Sequence, residues 1–242
     1  MILVDGQEFK YVTFPDGTID FISNDVLSIS NITWKYDGNL SEAFVCLSLL
    51  DHNMVSSFDF IFLPYARQDK GARFQVGGFG GLYSFISLFV SVSPATKYSV
   101  EDAHNPNALP HNWINRYNPF VVPGCDTSLI IFPDQGAMNK YKDHYTHVKC
   151  ISAVKSRCQK TGKINDINLC ESVFENIENI YVIDDICDGG ATFIELHALL
   201  PKRPKKYLFT TYGIYSKGLS LLEQYYDVVK CQHQVFPHRE KL

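Results

Sequence analysis

The chain has 242 residues, of which 45% are hydrophobic, and a formal net charge of −4 at pH 7. That length is enough to bury one large core or two small ones. The acidic balance argues against a nucleic-acid binder, which normally carries a basic face, and the longest apolar stretch, Leu82 to Val92, is too short and interrupted to span a bilayer. Cys46, Cys125, Cys150, Cys158, Cys170, Cys187 and Cys231 form no CxxC pair and no zinc-ligand spacing. An odd cysteine count without a signal peptide points to reduced thiols and a cytoplasmic setting.

In chain order, residues 1–28 read as hairpin strands with Asp5-Gly6 and Asp16-Gly17 as turns. Leu40 to Leu50 has helical spacing, and Phe58 to Leu63 reads as a strand. Gly77-Gly78-Phe79-Gly80-Gly81 breaks the chain before an apolar helix over Leu82 to Val92, and a short strand follows at Tyr98 to Glu101. Asn105 to Pro123, with four prolines and several asparagines, has loop composition. Strands are then expected at Leu129–Phe132, His147–Val154, Ile180–Ile183, Lys206–Thr211 and Val228–Val229. Helices are expected at Gly136–Lys142, after Thr192, and at Leu219–Tyr226. Such alternation predicts parallel sheets covered by helices, with ligands beyond the C-terminal ends of the strands.

The chemistry concentrates first in 181–193. Tyr181-Val182-Ile183 reads as the end of a buried strand, Asp184-Asp185 follow it, and the turn through Asp188, Gly189, Gly190, Ala191 and Thr192 opens a helix. A glycine turn at a helix N-terminus presents backbone N–H groups and a positive dipole end to phosphate. Adjacent carboxylates accept hydrogen bonds from vicinal hydroxyls, or hold Mg²⁺ through water. Phosphate beside a diol describes a ribose 5-phosphate. The run resembles the ribose-phosphate motif of the type I phosphoribosyltransferase family, and Cys187 within it is read as packing.

A second run, Pro64-Tyr65-Ala66-Arg67-Gln68-Asp69-Lys70, follows an apolar strand and offers a guanidinium fork for phosphate oxygens and an amide for a base or ribose edge. It resembles the ATP-site signature of the ribose-phosphate pyrophosphokinases, the synthetases of phosphoribosyl pyrophosphate. Further runs match that family in order. Thr13-Phe14-Pro15-Asp16-Gly17 resembles the loop that enters a neighbouring subunit's ATP site, where Phe14 would stack on adenine and Asp16 would accept from its amino group. The segment ending in His104 resembles the one near the ATP phosphates and Mg²⁺. The segment around Asp134 resembles the turn that touches ribose and metal, and Lys155 with Arg157 resembles the start of the mobile catalytic loop.

The resemblance implies two type I phosphoribosyltransferase-like α/β domains: 1–118 for ATP (Phe14, Asp16, Arg67, Gln68, Asp69, His104) and 119–242 for ribose phosphate (Asp134, Asp184, Asp185, Asp188–Thr192). It also implies Mg²⁺ on His104 and Asp134, catalytic roles for Lys155, Arg157, Arg67 and His104, and an assembly of at least two copies. The reaction implied is transfer of the β,γ-diphosphoryl group of ATP to the 1-hydroxyl of ribose 5-phosphate.

The chain departs from the pattern in being short, as though without the first strand and helix and part of the C-terminus. Thr18 stands where glutamate is usual, Gly189 where threonine is usual, and Ala191 where glycine is usual. Gly189 leaves room for an acceptor whose 5-phosphate is itself substituted, such as ADP-ribose. A phosphoribosyltransferase and a catalytically silent regulatory homologue are the other readings.

Overall fold

The computed structural model describes residues 1–20, 29–52, 54–68, 80–157, 164–168 and 171–235. The chain divides into two compact units, Met1–Asn118 and Pro119–Leu242. Each is α/β, as the strand-helix alternation predicts.

In the first unit, β1 (Ile2–Val4) turns through Asp5-Gly6 into β2 (Gln7–Glu8). Both turn residues have positive φ, 47° and 81°, which an Asp-Gly pair accommodates readily. The Asp5 carboxylate also accepts from the N–H groups of Ser30 (3.1 Å) and Asn31 (2.8 Å), tying the turn to the next strand of the sheet. A separate ribbon pairs β3 (Val12–Thr13) with β4 (Ile19–Asp20) around Gly17, whose φ is 82°. Then come β5 (Asn31–Lys35), α1 (Glu42–His52), β6 (Ser57–Ile61), α2 (Gly81–Val92), β7 (Lys97–Glu101) and β8 (Ile114–Arg116). The sheet runs β2-β1-β5-β6-β7-β8, with β5 to β8 parallel to one another.

Burial alternates along β5 and β6 with the two-residue period of a strand. Ile32, Trp34, Phe58 and Phe60 are fully buried and join one core with Leu82, Phe85, Ile86 and Phe89 of α2. Trp113 closes it, stacking on Tyr98 at 4.8 Å and on Phe60 at 5.5 Å between ring centroids. The alternate residues are polar apart from Ile61: Asn31 donates to Asp59, and Asp59 pairs with Arg116 at 3.2 Å. Glu42, fully buried at the start of α1, accepts from the Trp34 indole at 2.7 Å and from the Tyr11 hydroxyl.

The second unit contains β9 (Ser128–Phe132), α3 (Gln135–Tyr141), β10 (Lys149–Ser152), β11 (Val154–Arg157), β12 (Ile164–Asn168), β13 (Asn179–Cys187), α4 (Ala191–His197), β14 (Lys205–Gly213), α5 (Leu219–Leu222) and β15 (Val228–Gln234). Five strands form a parallel sheet in the order β10-β9-β13-β14-β15, while among the described residues β11 and β12 pair only with each other. Strand order therefore reverses between β9 and β13. In open parallel sheets the crevice beyond the carboxyl ends at such a reversal is where ligands bind.

Five boundaries differ from the sequence expectation, the first being the strand expected over His147–Val154, which Ala153 divides between β10 and β11. The 105–123 segment contains β8, which extends the first sheet. Strand β13 does not stop at Ile183 but continues to Cys187, paired with β14 as far as Gly213, so Asp184 and Asp185 lie inside the strand. The last helix covers Leu219–Leu222 rather than reaching Tyr226, and the last strand has seven residues rather than two. Among the described residues no helix is long and apolar enough to cross a membrane.

Candidate functional site

At the strand reversal of the second unit, β9 delivers Asp134 and β13 delivers the acid pair. Asp134 caps α3: its carboxylate accepts from the Ala137 N–H at 3.0 Å. Asp185 is 6% exposed and its N–H donates to the Asp184 carboxylate at 2.9 Å. The Asp184 carboxyl is pushed well above the usual carboxylate range, first by desolvation and then by the Asp185 and Asp134 carboxylates. Three acids therefore converge at the crevice, two of them consecutive in one strand. Lys140, from the last turn of α3, places its ammonium 3.6 Å from Asp185. Sequence reading missed this lysine, because only the packing of α3 against β13 brings it to the acids.

Beyond Cys187 the chain turns through Asp188, Gly189 and Gly190 into α4. Gly190 has φ 76° and ψ −4°, and its carbonyl accepts from the N–H groups of Phe193 and Ile194. A Cβ at Gly190 would stand 2.9 Å from a Leu222 methyl, so glycine is required there on two counts. A Cβ at Gly189 would meet only ordinary contacts, 3.6 Å from both the Lys217 Cε and the Ser216 hydroxyl.

These two neighbours belong to the turn after β14, which is held to the same place. Ile214 and Tyr215 both donate backbone hydrogen bonds to the Cys187 carbonyl, at 2.8 and 3.2 Å. The Tyr215 ring lies so close over Gly213 that a Cβ there would meet it at 2.2 Å. Ser216 and Lys217 thus form a second wall of the glycine turn, one that no motif signalled. Cys187 is fully buried, and desolvation pushes its thiol up, in keeping with a packing role. Ala191 is exposed and Thr192 half-buried at the start of α4.

The first unit carries the other set. Phe14 is 47% exposed at the tip of the β3–β4 ribbon. The exposed Asp16 accepts from the Thr18 N–H (3.0 Å) and hydroxyl (2.7 Å), and these bonds hold its carboxyl below the usual range. Thr18 is therefore a partner of Asp16 rather than an extra acid. After β6 the backbone takes positive φ at Phe62 (62°) and Tyr65 (61°), conformations that bulky residues adopt only under constraint. Arg67 and Gln68 follow, both exposed, with the Gln68 N–H donating to the Tyr65 carbonyl at 2.8 Å. The Gln68 amide also packs over Gly81, where a Cβ would stand 2.5 Å from its oxygen.

The exposed His104 follows β7 in a turn that β8 fixes. Asp102, buried with φ 43°, donates its N–H to the Arg116 carbonyl at 2.6 Å, and the Asn115 side chain accepts from the Ala103 N–H at 2.8 Å.

Lys155 and Arg157 lie on β11, immediately beyond the carboxyl end of β10. Asp69, Lys70 and Gly77 to Phe79 lie outside the described residues. Among the described residues no group of three or more His, Cys, Asp or Glu is arranged to hold a metal ion. In both units the candidate residues described beside the main sheets follow parallel strands, except Asp184 and Asp185, which lie in the C-terminal half of β13.

No family model matches the chain. A curated relative, the ribose-phosphate pyrophosphokinase of Mycoplasmopsis pulmonis (strain UAB CTIP), is 22% identical over 83% of this chain and 66% of its own length. The chain thus spans just under two thirds of that relative. The crystal structure of phosphoribosylpyrophosphate synthetase from Mycobacterium smegmatis matches with a TM-score of 0.60 and 15% identity, over 84% of this chain and 72% of that one. The chain has the α/β fold of that synthetase, and the sequence relative supports the resemblance to the ribose-phosphate pyrophosphokinases.

Proposed function

We propose that this chain, a divergent relative of the ribose-phosphate pyrophosphokinases, transfers a diphosphoryl group from ATP to the 1-hydroxyl of a ribose 5-phosphate. The observation that carries the reading is the crevice of the second unit. Acids at a strand reversal, Asp185 buried and Asp134 and Asp184 half-buried, suit vicinal hydroxyls, and a glycine turn beside them suits a phosphate. The acceptor's 1-oxygen bonds to the β-phosphorus of ATP, the bond from that phosphorus to the α,β-bridging oxygen breaks, and AMP leaves with the bridging oxygen. The hydroxyl proton passes to solvent.

Phosphoryl transfer of this kind depends on positioning and on neutralising charge. Asp184 and Asp185 hold the ribose hydroxyls, and Asp188 to Thr192 hold the 5-phosphate. Arg67 and Gln68 bind ATP with Asp69, and Phe14 and Asp16 complete the adenine site of a second copy, so the working state is at least a dimer. Lys155 and Arg157 carry the transferring group. Mg²⁺ bound with ATP supplies charge neutralisation on the phosphate oxygens. The Asp134 carboxylate would be an oxygen donor of the kind Mg²⁺ prefers, with phosphates and water completing the shell, and His104 would be a softer nitrogen donor that the resemblance alone suggests.

A second reading of the acceptor rests on Gly189. With Ser216 and Lys217 flanking the space a side chain would fill, a further phosphate on the 5-position, as in ADP-ribose, finds a hydroxyl and a cation. The test is AMP release from ATP and Mg²⁺ with ribose 5-phosphate or ADP-ribose as acceptor. Release with ribose 5-phosphate supports the first reading, and release mainly with ADP-ribose supports the second. No release with either, from folded protein that binds ATP, refutes both.

A further inference from the structure

Lys140 and Asp185 are an ion pair with side-chain exposures of only 12% and 8%. The ammonium also lies 4.9 Å from the centroid of the Tyr141 ring, which is 1% exposed. Withdrawing both charges from water is expensive, and an apolar pair of similar size would generally be as stable or more so. Packing between α3 and β13 therefore gives no reason for a lysine. The surroundings do: Asp134 sits at the first end of α3, Lys140 at the other, and the carboxylates of Asp134, Asp184 and Asp185 repel one another across the crevice. A cation paired with one of three like charges fixes where that carboxylate, Asp185, rests.

Given the proposed function, we infer that Lys140 is a positioning residue, holding the Asp185 carboxylate in the orientation that receives the acceptor's hydroxyls. It acts through Asp185 and makes no contact of its own with the reacting atoms. This role differs from structural support, because it predicts that the effect of removing Lys140 depends on Asp185 and falls on one substrate.

Calorimetric titration of the full chain with ribose 5-phosphate, ADP-ribose and, separately, ATP tests it. Lys140→Met is expected to weaken the acceptor about tenfold or more while leaving ATP affinity unchanged. Lys140→Arg, which keeps the charge, is expected to restore most of the loss. In an Asp185→Asn background, Lys140→Met should change acceptor affinity no further. A folded Lys140→Met protein with wild-type acceptor affinity overturns the inference, as does an equal loss in the Asp185→Asn background. Should Lys140→Met not fold, the double variant, which removes both charges, decides by the same comparison. Wild-type protein that binds ATP but neither acceptor refutes the proposed function, and this inference with it. An acceptor bound equally by wild type and Lys140→Met refutes the inference alone.

Discussion

Gly189 and Gly190 are neighbours in one turn, yet alanine should have opposite effects at the two positions. At Gly190 the backbone sits at φ 76°, where an L-residue costs about 1–2 kcal/mol. The added Cβ would also stand 2.9 Å from a methyl of Leu222, itself 1% exposed and without space to yield. Overpacking of that kind costs about 1–3 kcal/mol. Together, Gly190→Ala should lose about 2–5 kcal/mol of unfolding free energy. At Gly189 the nearest atoms are at 3.6 Å and φ lies outside the left-handed region. Gly189→Ala should therefore be neutral, or gain up to about 1 kcal/mol by restricting the unfolded chain. Urea unfolding of the two variants beside wild type reads this directly, as a shift in midpoint at constant slope. A Gly190→Ala midpoint at or above that of Gly189→Ala would refute the account of the turn.

Three further outcomes are expected. Asp184→Asn should raise the melting temperature at neutral pH and abolish acceptor binding. The folded protein holds the Asp184 proton more tightly than the unfolded chain does, so wild-type stability from this group falls as pH rises above the ordinary carboxylate range; a variant whose melting temperature falls over that range as wild type's does would contradict it. Phe14→Ala should raise KM for ATP roughly tenfold, the worth of one base stacked on a ring, with the acceptor KM unchanged. Asn115→Ala removes the acceptor for the Ala103 N–H and should lose about 1 kcal/mol together with much of kcat, through the His104 turn; a wild-type kcat would separate His104 from catalysis.

The parallel α/β class was legible because apolar runs such as Leu129–Phe132 and Ile180–Ile183 are strands buried on both faces. What escaped was set by neighbours. Ile114–Arg116 is exposed and sits among prolines, so β8 exists only through its ladder with β7. Asp184 and Asp185 interrupt the apolar run, but Asp184↔Thr210 and Cys187↔Gly213 pairing carries the strand past them. Lys140, Ser216 and Lys217 come from elements distant in sequence from Asp184, Asp185 and the glycine turn, and no local spacing links them. The motif residues themselves were visible because glycine turns and clustered acids are unusual locally, whatever surrounds them.

The reversal of strand order between β9 and β13 has a consequence for how such a protein changes over time. The sheet is held by main-chain ladders and by apolar side chains, among them Leu129, Ile131, Ile180, Val182 and Leu208, and few of these contacts reach the turns beyond the strand ends, Leu222 against Gly190 being one that does. Residues such as Gly189 and Lys217 can be exchanged with little effect on folding, while a residue such as Gly190 cannot. The fold thus tolerates a side chain at one position of this turn and excludes it at the next, and the border between the two falls inside a single dipeptide.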